Sequence, residues 1–411
     1  MIKKDRAAIV NKIYLLRILP SLYQTHLENQ LNSSQLLFFT LLLNVLQDMK
    51  SVSLEKLATT LPLPILFESR RKKIQRFLSL PIFQVEKLWF KIIKDWIAAV
   101  FTSNQTLYAV IDRTSWDGSV CGGIIPPQNF RCINLVMISI VYDHRAIPIY
   151  WELLPTLGSS NLTQQKRVFT KVLPLLILNK TVILGDREFC SALLANWLRE
   201  NNLYFCLRLK KSEYIQAKTD FWYQLSEIRL KPGCAIFLQG INITKTHQID
   251  KLNFVGKWKR KLYGIQPKEA WFILTNLGSL KAAIAAYKQR FDIEQMFKDF
   301  KSGGYNLEET NVSDDRLISL ILIIAFAYTL TTLNGKNIKK KGIQKYVGRV
   351  KEYGRLVRRH SSFYIGLYSQ DWINCIKPCW ELVMEFMRLN RNKLSDYLRG
   401  LRAMKLILSV S

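Results

Sequence analysis

Histidine is scarce in this chain, with only His26, His144, His247 and His360 among 411 residues. A zinc site or a histidine-based catalytic centre is therefore poorly supplied, and any metal is expected to be hard and held by oxygen. Cysteine is thinly spread as well: seven residues, an odd number, without a metal-type spacing. Cys375 and Cys379 form only an isolated C-x3-C, and the set reads as reduced thiols of a cytosolic protein rather than a disulfide framework. The opening Met-Ile-Lys-Lys-Asp-Arg has neither the apolar run nor the small-residue cleavage site of a signal peptide. No internal repeat or low-complexity tract stands out. Acids are few: 31 against 60 basic residues, a formal charge of +29. A polyanion is the default partner for such a chain, because phosphate contacts release condensed counterions, although composition alone leaves DNA, RNA and an anionic membrane open.

What is present is apolar: 49% of the residues, enough for at least one large core. Length suggests two or three domains and excludes a small stapled one. The segment from Leu317 to Leu333 is apolar on nearly all sides but slightly short of the ~20 residues that span a bilayer, so it is expected to be a buried helix, with no membrane partner.

From Arg6 to about Thr102 the pattern is helical, with Leu36, Phe39, Leu42, Leu43 and Leu46 recurring at three and four, and residues 1–102 are expected to form a helical N-terminal domain. Inside it, LEKLATTL, a break at Pro62 and Pro64, and the basic FESRRKKIQRFL outline a helix-turn-helix reader. Arg70, Arg71, Lys72, Lys73 and Arg76 are its candidate DNA contacts; the plainer alternative is a solvated helix face. Around Leu107 the pattern changes. LYAVID reads as a strand ending at Asp112, followed by two antiparallel strands around a His144-Arg145 turn, a helix from Asn161 to Leu178, the strand TVILGD ending at Asp186, a helix from Ser191 to Asn201, and the strand YFCLRLK. This mixed α/β order is that of a ribonuclease H-like fold, expected over 103–334. Short alternating pieces between about 211 and 276 suggest an inserted antiparallel β region. Residues 335–411 read as a basic helical region, carrying Lys339, Lys340, Lys341, Lys345, Arg349, Lys351, Arg355, Arg358 and Arg359 as either a phosphate-tracking surface or a soluble tail.

Asp112 and Asp186 stand 74 residues apart, each at the end of an apolar run, VID and ILGD. If the two strands are parallel neighbours, both carboxylates reach one rim and can share a divalent cation; either alone reads equally well as a cap or turn residue. A helix is expected from Leu280 to Lys301, capped by Ser279 and stopped at Ser302-Gly303-Gly304. On it, Tyr287, Arg290, Glu294 and Lys301 fall within an arc of about 60° at 100° per residue. Ala286, Ile293, Met296, Phe297 and Phe300 form a neighbouring apolar stripe that would face the core. An acid flanked by a phenol, a guanidinium and an ammonium suits a site that grips phosphate and holds a metal, whereas Arg290 and Glu294 alone would be an ordinary i, i+4 pair.

Asp112 in IDRTSWDG, Asp186 in LGDREF and the spacing Y-x2-R-x3-E-x6-K from Tyr287 to Lys301 resemble the signature of bacterial DDE transposases of the insertion-sequence-four type, over about Leu107 to Glu309. The resemblance implies a DNA transposase that binds terminal inverted repeats and performs cut-and-paste strand cleavage and strand transfer. It implies that Asp112, Asp186 and Glu294 bind two Mg2+ ions, with Mn2+ as a substitute, and that Tyr287, Arg290 and Lys301 grip the neighbouring phosphate. It also makes Trp271 a candidate for stacking on a flipped base, against a core aromatic of the β region, and Arg208 and Lys210 candidate phosphate contacts. The implied partners are transposon-end and target DNA and a second copy in a synaptic homodimer, in the bacterial cytoplasm. A transposase-derived DNA-binding protein without cleavage, and a metal nuclease without strand transfer, are the competing readings.

Overall fold

The computed structural model describes residues 21–102, 104–118, 131–155, 158–217, 221–245, 249–260, 269–354, 359–376 and 378–409. Arg355 and Arg358 of the basic tail, and the first twenty residues of the expected N-terminal domain, lie outside the described residues. The chain divides into two units, one of residues 1–92 and 299–411 and one of residues 93–298.

Along the chain, the first unit begins with helices α1 (Ser21–Gln30), α2 (Ser33–Met49), α3 (Leu54–Thr60), α4 (Phe67–Leu78) and α5 (Val85–Leu88), and α6 (Phe90–Val100) leads into the second. Asn32 opens α2 with a reciprocal capping box to Gln35, which satisfies two helix-end donors at once.

The second unit carries one ten-stranded sheet in the order β3-β2-β1-β4-β5-β10-β9-β8-β6-β7. Strands β1 (Leu107–Gly118), β2 (Arg131–Tyr142) and β3 (Arg145–Leu153) are antiparallel. The tight turn between β2 and β3 sits at Asp143-His144, both at positive φ, one residue earlier than the pattern suggested. Strands β4 (Thr181–Gly185) and β5 (Tyr204–Arg208) join parallel to β1 through α7 (Leu162–Leu176) and α8 (Ala192–Glu200). The arrangement 3-2-1-4-5, antiparallel then parallel, is the ribonuclease H-like core expected from the strand pattern. The inserted strands β6 (Tyr214–Gln216), β7 (Trp222–Gln224), β8 (Ala235–Ile243), β9 (Ile249–Lys257) and β10 (Trp271–Thr275) extend the same sheet, because β10 pairs antiparallel with the edge strand β5. An otherwise open edge is thereby covered. Helices α9 (Leu280–Lys288) and α10 (Phe291–Phe300) follow.

The chain then returns to the first unit with α11 (Asp314–Lys340), α12 (Ser362–Ile376), α13 (Trp380–Leu389) and α14 (Leu394–Leu408). The apolar stretch around Leu317–Leu333 lies in α11, long and apolar enough to cross a membrane by composition, yet 83% of its apolar window is buried. Phe326 packs edge-on against Tyr23 and Phe39 and beside Trp89, so the N-terminal helices and α11 share one core within the first unit. Where α11 crosses α12, a Cβ on Gly335 would fall 1.8 Å from the carbonyl oxygen of Ser362, a contact only glycine permits.

Candidate active site

The register of the parallel pair β1/β4 builds the site. Ile111 is level with Gly185, so Asp112 and Asp186 are the next residues on adjacent strands. Gly185 leaves room for its neighbours: a Cβ there would stand 3.0 Å from Leu207 Cδ2 and from Phe189 Cβ. Asp112 does not end its strand as expected. β1 runs on to Gly118 because β2 continues to pair with it, and only β4 stops at this level.

The third acid comes from a helix that is not the single one expected. The helix breaks at Gln289-Arg290, where the bonds tighten to three-residue steps: Gln289 N–H to Ala286 O and Arg290 N–H to Tyr287 O. The four ionisable side chains therefore do not form one helical stripe, since constant 100° spacing does not cross the break. Arg290 is only 4% exposed. The apolar stripe is buried as expected: Ala286, Ile293, Met296, Phe297 and Phe300. Ser139 of β2 lies 3.5 Å from Met296 Sδ, tying α10 to the core sheet. Glu294 sits in the first turn of α10, where a carboxylate is favoured by the helix dipole.

The three acids converge on the buried Arg290 guanidinium. Its Nη2 donates to Glu294 Oε1 at 2.6 Å, its Nη1 lies 3.4 Å from Asp112 Oδ2, and the same Nη1 is 4.0 Å from Asp186 Oδ2. Burial pushes the Asp112 carboxyl up to about 6; the Arg113 N–H and Arg290 oppose this, while the charges of Asp186 and Glu294 add to it. Burial alone would lower the Arg290 value, but Tyr287, Asp186, Asp112 and Glu294 together raise it, so the guanidinium stays charged. Tyr287 is fully buried, its hydroxyl has no hydrogen-bond partner, and burial raises its pKa.

Trp271 is 8% exposed, edge-on to Tyr287 at 5.2 Å and tilted against Phe291 at 5.9 Å, with Lys259 Nζ 4.7 Å from its ring centre. In this arrangement it packs as an aromatic of the β region. Lys301 stands just past α10, in the other unit, and pairs with Glu308 at 2.9 Å. Arg208 ends β5 and reaches both Asp186 and Glu269, whereas Lys210 is exposed beside it. In the first unit, Arg70 donates to the carbonyls of Ala58 and Ile65 and so braces the turn between α3 and α4. Arg71 pairs with Glu55 at 2.6 Å; Lys72, Lys73 and Arg76 are exposed.

Two partnerships escaped the sequence. Arg113 Nε donates to both oxygens of Glu188 at 2.8 and 3.0 Å, its Nη1 donates to Asn134, and Glu188 Oε1 accepts from Ser160 N–H and Oγ. This clamp joins the residue after Asp112 to the turn after Asp186. The second is Glu269, bound by Arg187 and Arg208. Their sequence signal was proximity: Arg113 follows Asp112, and Arg187 and Glu188 follow Asp186.

Residues 128–330, just under half of the chain, match the family model of the transposase DDE domain. This match supports a DDE transposase family. The matched span takes in Asp186, Tyr287, Arg290 and Glu294, and Asp112 precedes it. Among solved structures, the chain is similar to one described as the cryo-EM structure of piggyBac transposase synaptic complex with hairpin DNA (SNHP), at 14% identity and a TM-score of 0.41, over 88% of this chain and 79% of that one. No curated protein matches the sequence.

For a divalent metal, the donor chemistry fits. All three side chains are hard oxygen donors, like charges are gathered in one place, and Asp186 Oδ1 is buried with no hydrogen-bond partner. Among the described residues no group of three such side chains is close enough to share an ion, and Glu294 is hydrogen-bonded to Arg290.

Proposed function

We propose that the chain is a cut-and-paste DNA transposase of the insertion-sequence-four type, which binds the terminal inverted repeats of its own element, cleaves them and joins the freed 3′-hydroxyl ends to target DNA. The observation that carries this reading is the convergence of Asp112, Asp186 and Glu294 on Arg290, in a chain with a transposase DDE domain. Asp112 and Asp186 would hold magnesium, with Glu294 as third ligand once released from Arg290. Two ions, or Mn2+ in their place, would supply Lewis-acid stabilisation of the attacking and departing oxygens when bound. Arg290 balances the acids before and after, and its burial keeps its charge directed inward. The Tyr287 ring centre lies 5.9 Å from the Arg290 guanidinium carbon. The basic residues Lys72, Lys73 and Arg76 supply exposed charge for the DNA backbone. Joining two ends calls for two copies on two ends, a synaptic homodimer working in the cytoplasm.

The test is cleavage and transfer of DNA carrying the inverted repeats that flank the coding region, with Mg2+ present. The wild type should cut and join, and Asp112→Ala, Asp186→Ala and Glu294→Ala should each lose both steps by at least about 100-fold. Retained activity in any of the three removes the assignment. Binding without cutting would make the protein a DNA-binding derivative, and cut but unjoined ends a nuclease.

A further inference from the structure

Beside the acids lies a second charge cluster with the signs reversed. Arg187 Nη2 and Arg208 Nη2 both donate to Glu269 Oε1, the latter at 2.5 Å, and Lys211 Nζ stands 3.7 Å from Glu269 Oε2. Three cations therefore surround one carboxylate, with Arg208 also 3.7 Å from Asp186 Oδ1. The Nε atoms of Arg187 and Arg208 are buried and have no hydrogen-bond partner. A planar carboxylate leaves these donors unused, and three cations face only Glu269 and, through Arg208, Asp186. A phosphodiester has a tetrahedral array of oxygens and meets guanidinium donors from more directions.

The place matters as much as the charge. Arg187 directly follows Asp186, and Arg208 ends the strand whose Leu207 is level with Gly185. Glu269 precedes β10 and is 30% exposed, and Lys211 is 54% exposed, so a polyanion can reach the cluster. Burial would raise the Glu269 value, but hydrogen bonding to Arg187 and the charges of Arg208, Arg187 and Lys211 lower it overall, and it is ionised at neutral pH.

We propose that Arg187, Arg208 and Lys211 form a receptor for one backbone phosphate of the bound DNA, and that Glu269 occupies it in the free protein as a carboxylate stand-in that the phosphate displaces. The identity of the polyanion as DNA rests on the function proposed above; the receptor itself rests on the cluster. Glu269 thereby lowers affinity for DNA of any sequence, and the receptor places the captured phosphate next to Asp186.

The experiment is fluorescence anisotropy of the full chain with a labelled duplex of arbitrary sequence, in EDTA, across a salt series. Glu269→Gln should bind about 3- to 10-fold more tightly than the wild type, Arg208→Ala added to it should abolish the gain, and the remote Glu200→Gln should change affinity far less. Lys211→Ala alone, at an exposed position that folding tolerates, should weaken binding and reduce the salt slope by about one. Unchanged or weaker binding by a folded Glu269→Gln overturns the receptor, as does a Lys211→Ala with the wild-type salt slope. Because the assay contains no metal and scores no cutting, tighter binding by Glu269→Gln with no cleavage by the wild type would keep the receptor and sink the transposase reading. Triad-dependent cleavage with no effect of Glu269→Gln would do the reverse.

Discussion

Two charge clusters that meet where Arg208 stands 3.7 Å from Asp186 are built as opposites. Around Arg290 one cation holds three acids; around Glu269 one acid is held by three cations. The central cation is 4% exposed, the central anion 30%. The difference teaches how burial assigns a role. A charge that is sealed in and surrounded by its opposites balances a permanent local excess, whereas a half-open one with surplus countercharge around it can be exchanged for a ligand of the same sign. Arg208, within reach of both Asp186 and Glu269, links the two.

The strongest way to break the comparison is to empty the centre of the acid cluster. Arg290→Ala leaves three carboxylates without their countercharge, and since Asp186 and Glu294 are partly exposed the loss should be on the order of 3 kcal/mol in a urea melt. Added Mg2+ should recover part of that loss in the variant. A melt matching the wild type in the absence of metal would show that Arg290 does not hold the acids together.

A smaller effect of opposite sign is expected at Asp112. Its carboxyl is raised to about 6, so the folded protein binds more protons than the unfolded chain between the ordinary carboxylate value and pH 6. Stability of the metal-free protein should therefore fall as pH rises through that window, by on the order of 2 kcal/mol, and stay low above it. Asp112→Asn should flatten the slope and be the more stable protein at pH 7 while losing cleavage. A wild-type melt that is level from pH 4 to pH 7 would contradict the crowding of acids at this position.

The smallest effect belongs to the clamp between the two strand ends. Arg113→Ala removes a forked ion pair that is mostly buried on both sides, and should cost about 1–2 kcal/mol while slowing cleavage roughly tenfold with DNA affinity unchanged. Arg113→Lys keeps the charge but not the fork and should recover only part of the rate. Equal loss of DNA binding in Arg113→Ala would place the residue on the substrate instead of behind Asp112.

Much of this site was legible in the chain because its key signals are local. Apolar runs ending in Asp112 and Asp186 announced strands of one sheet, and the residue order Tyr-Arg-Glu marked the helical acid even though the single helix assumed for it is broken. What stayed hidden depends on partners far away in sequence. The reach of β1 beyond Asp112 is set by β2, the closure of the N-terminal helices around Phe326 by α11, and the capture of Glu269 by arginines on two other elements. The break at Gln289-Arg290 carries neither glycine nor proline, so nothing in the local pattern marks it, and it voids the stripe ending at Lys301.

The central claim is that Asp112, Asp186 and Glu294 act together as one divalent-cation seat. Calorimetric titration of the full chain with Mn2+ tests it most directly, in the wild type and in Asp112→Asn, Asp186→Asn and Glu294→Gln. The account predicts saturable binding in the wild type, lost in the two aspartate variants and weakened in the third. Equal binding by all four proteins would contradict it.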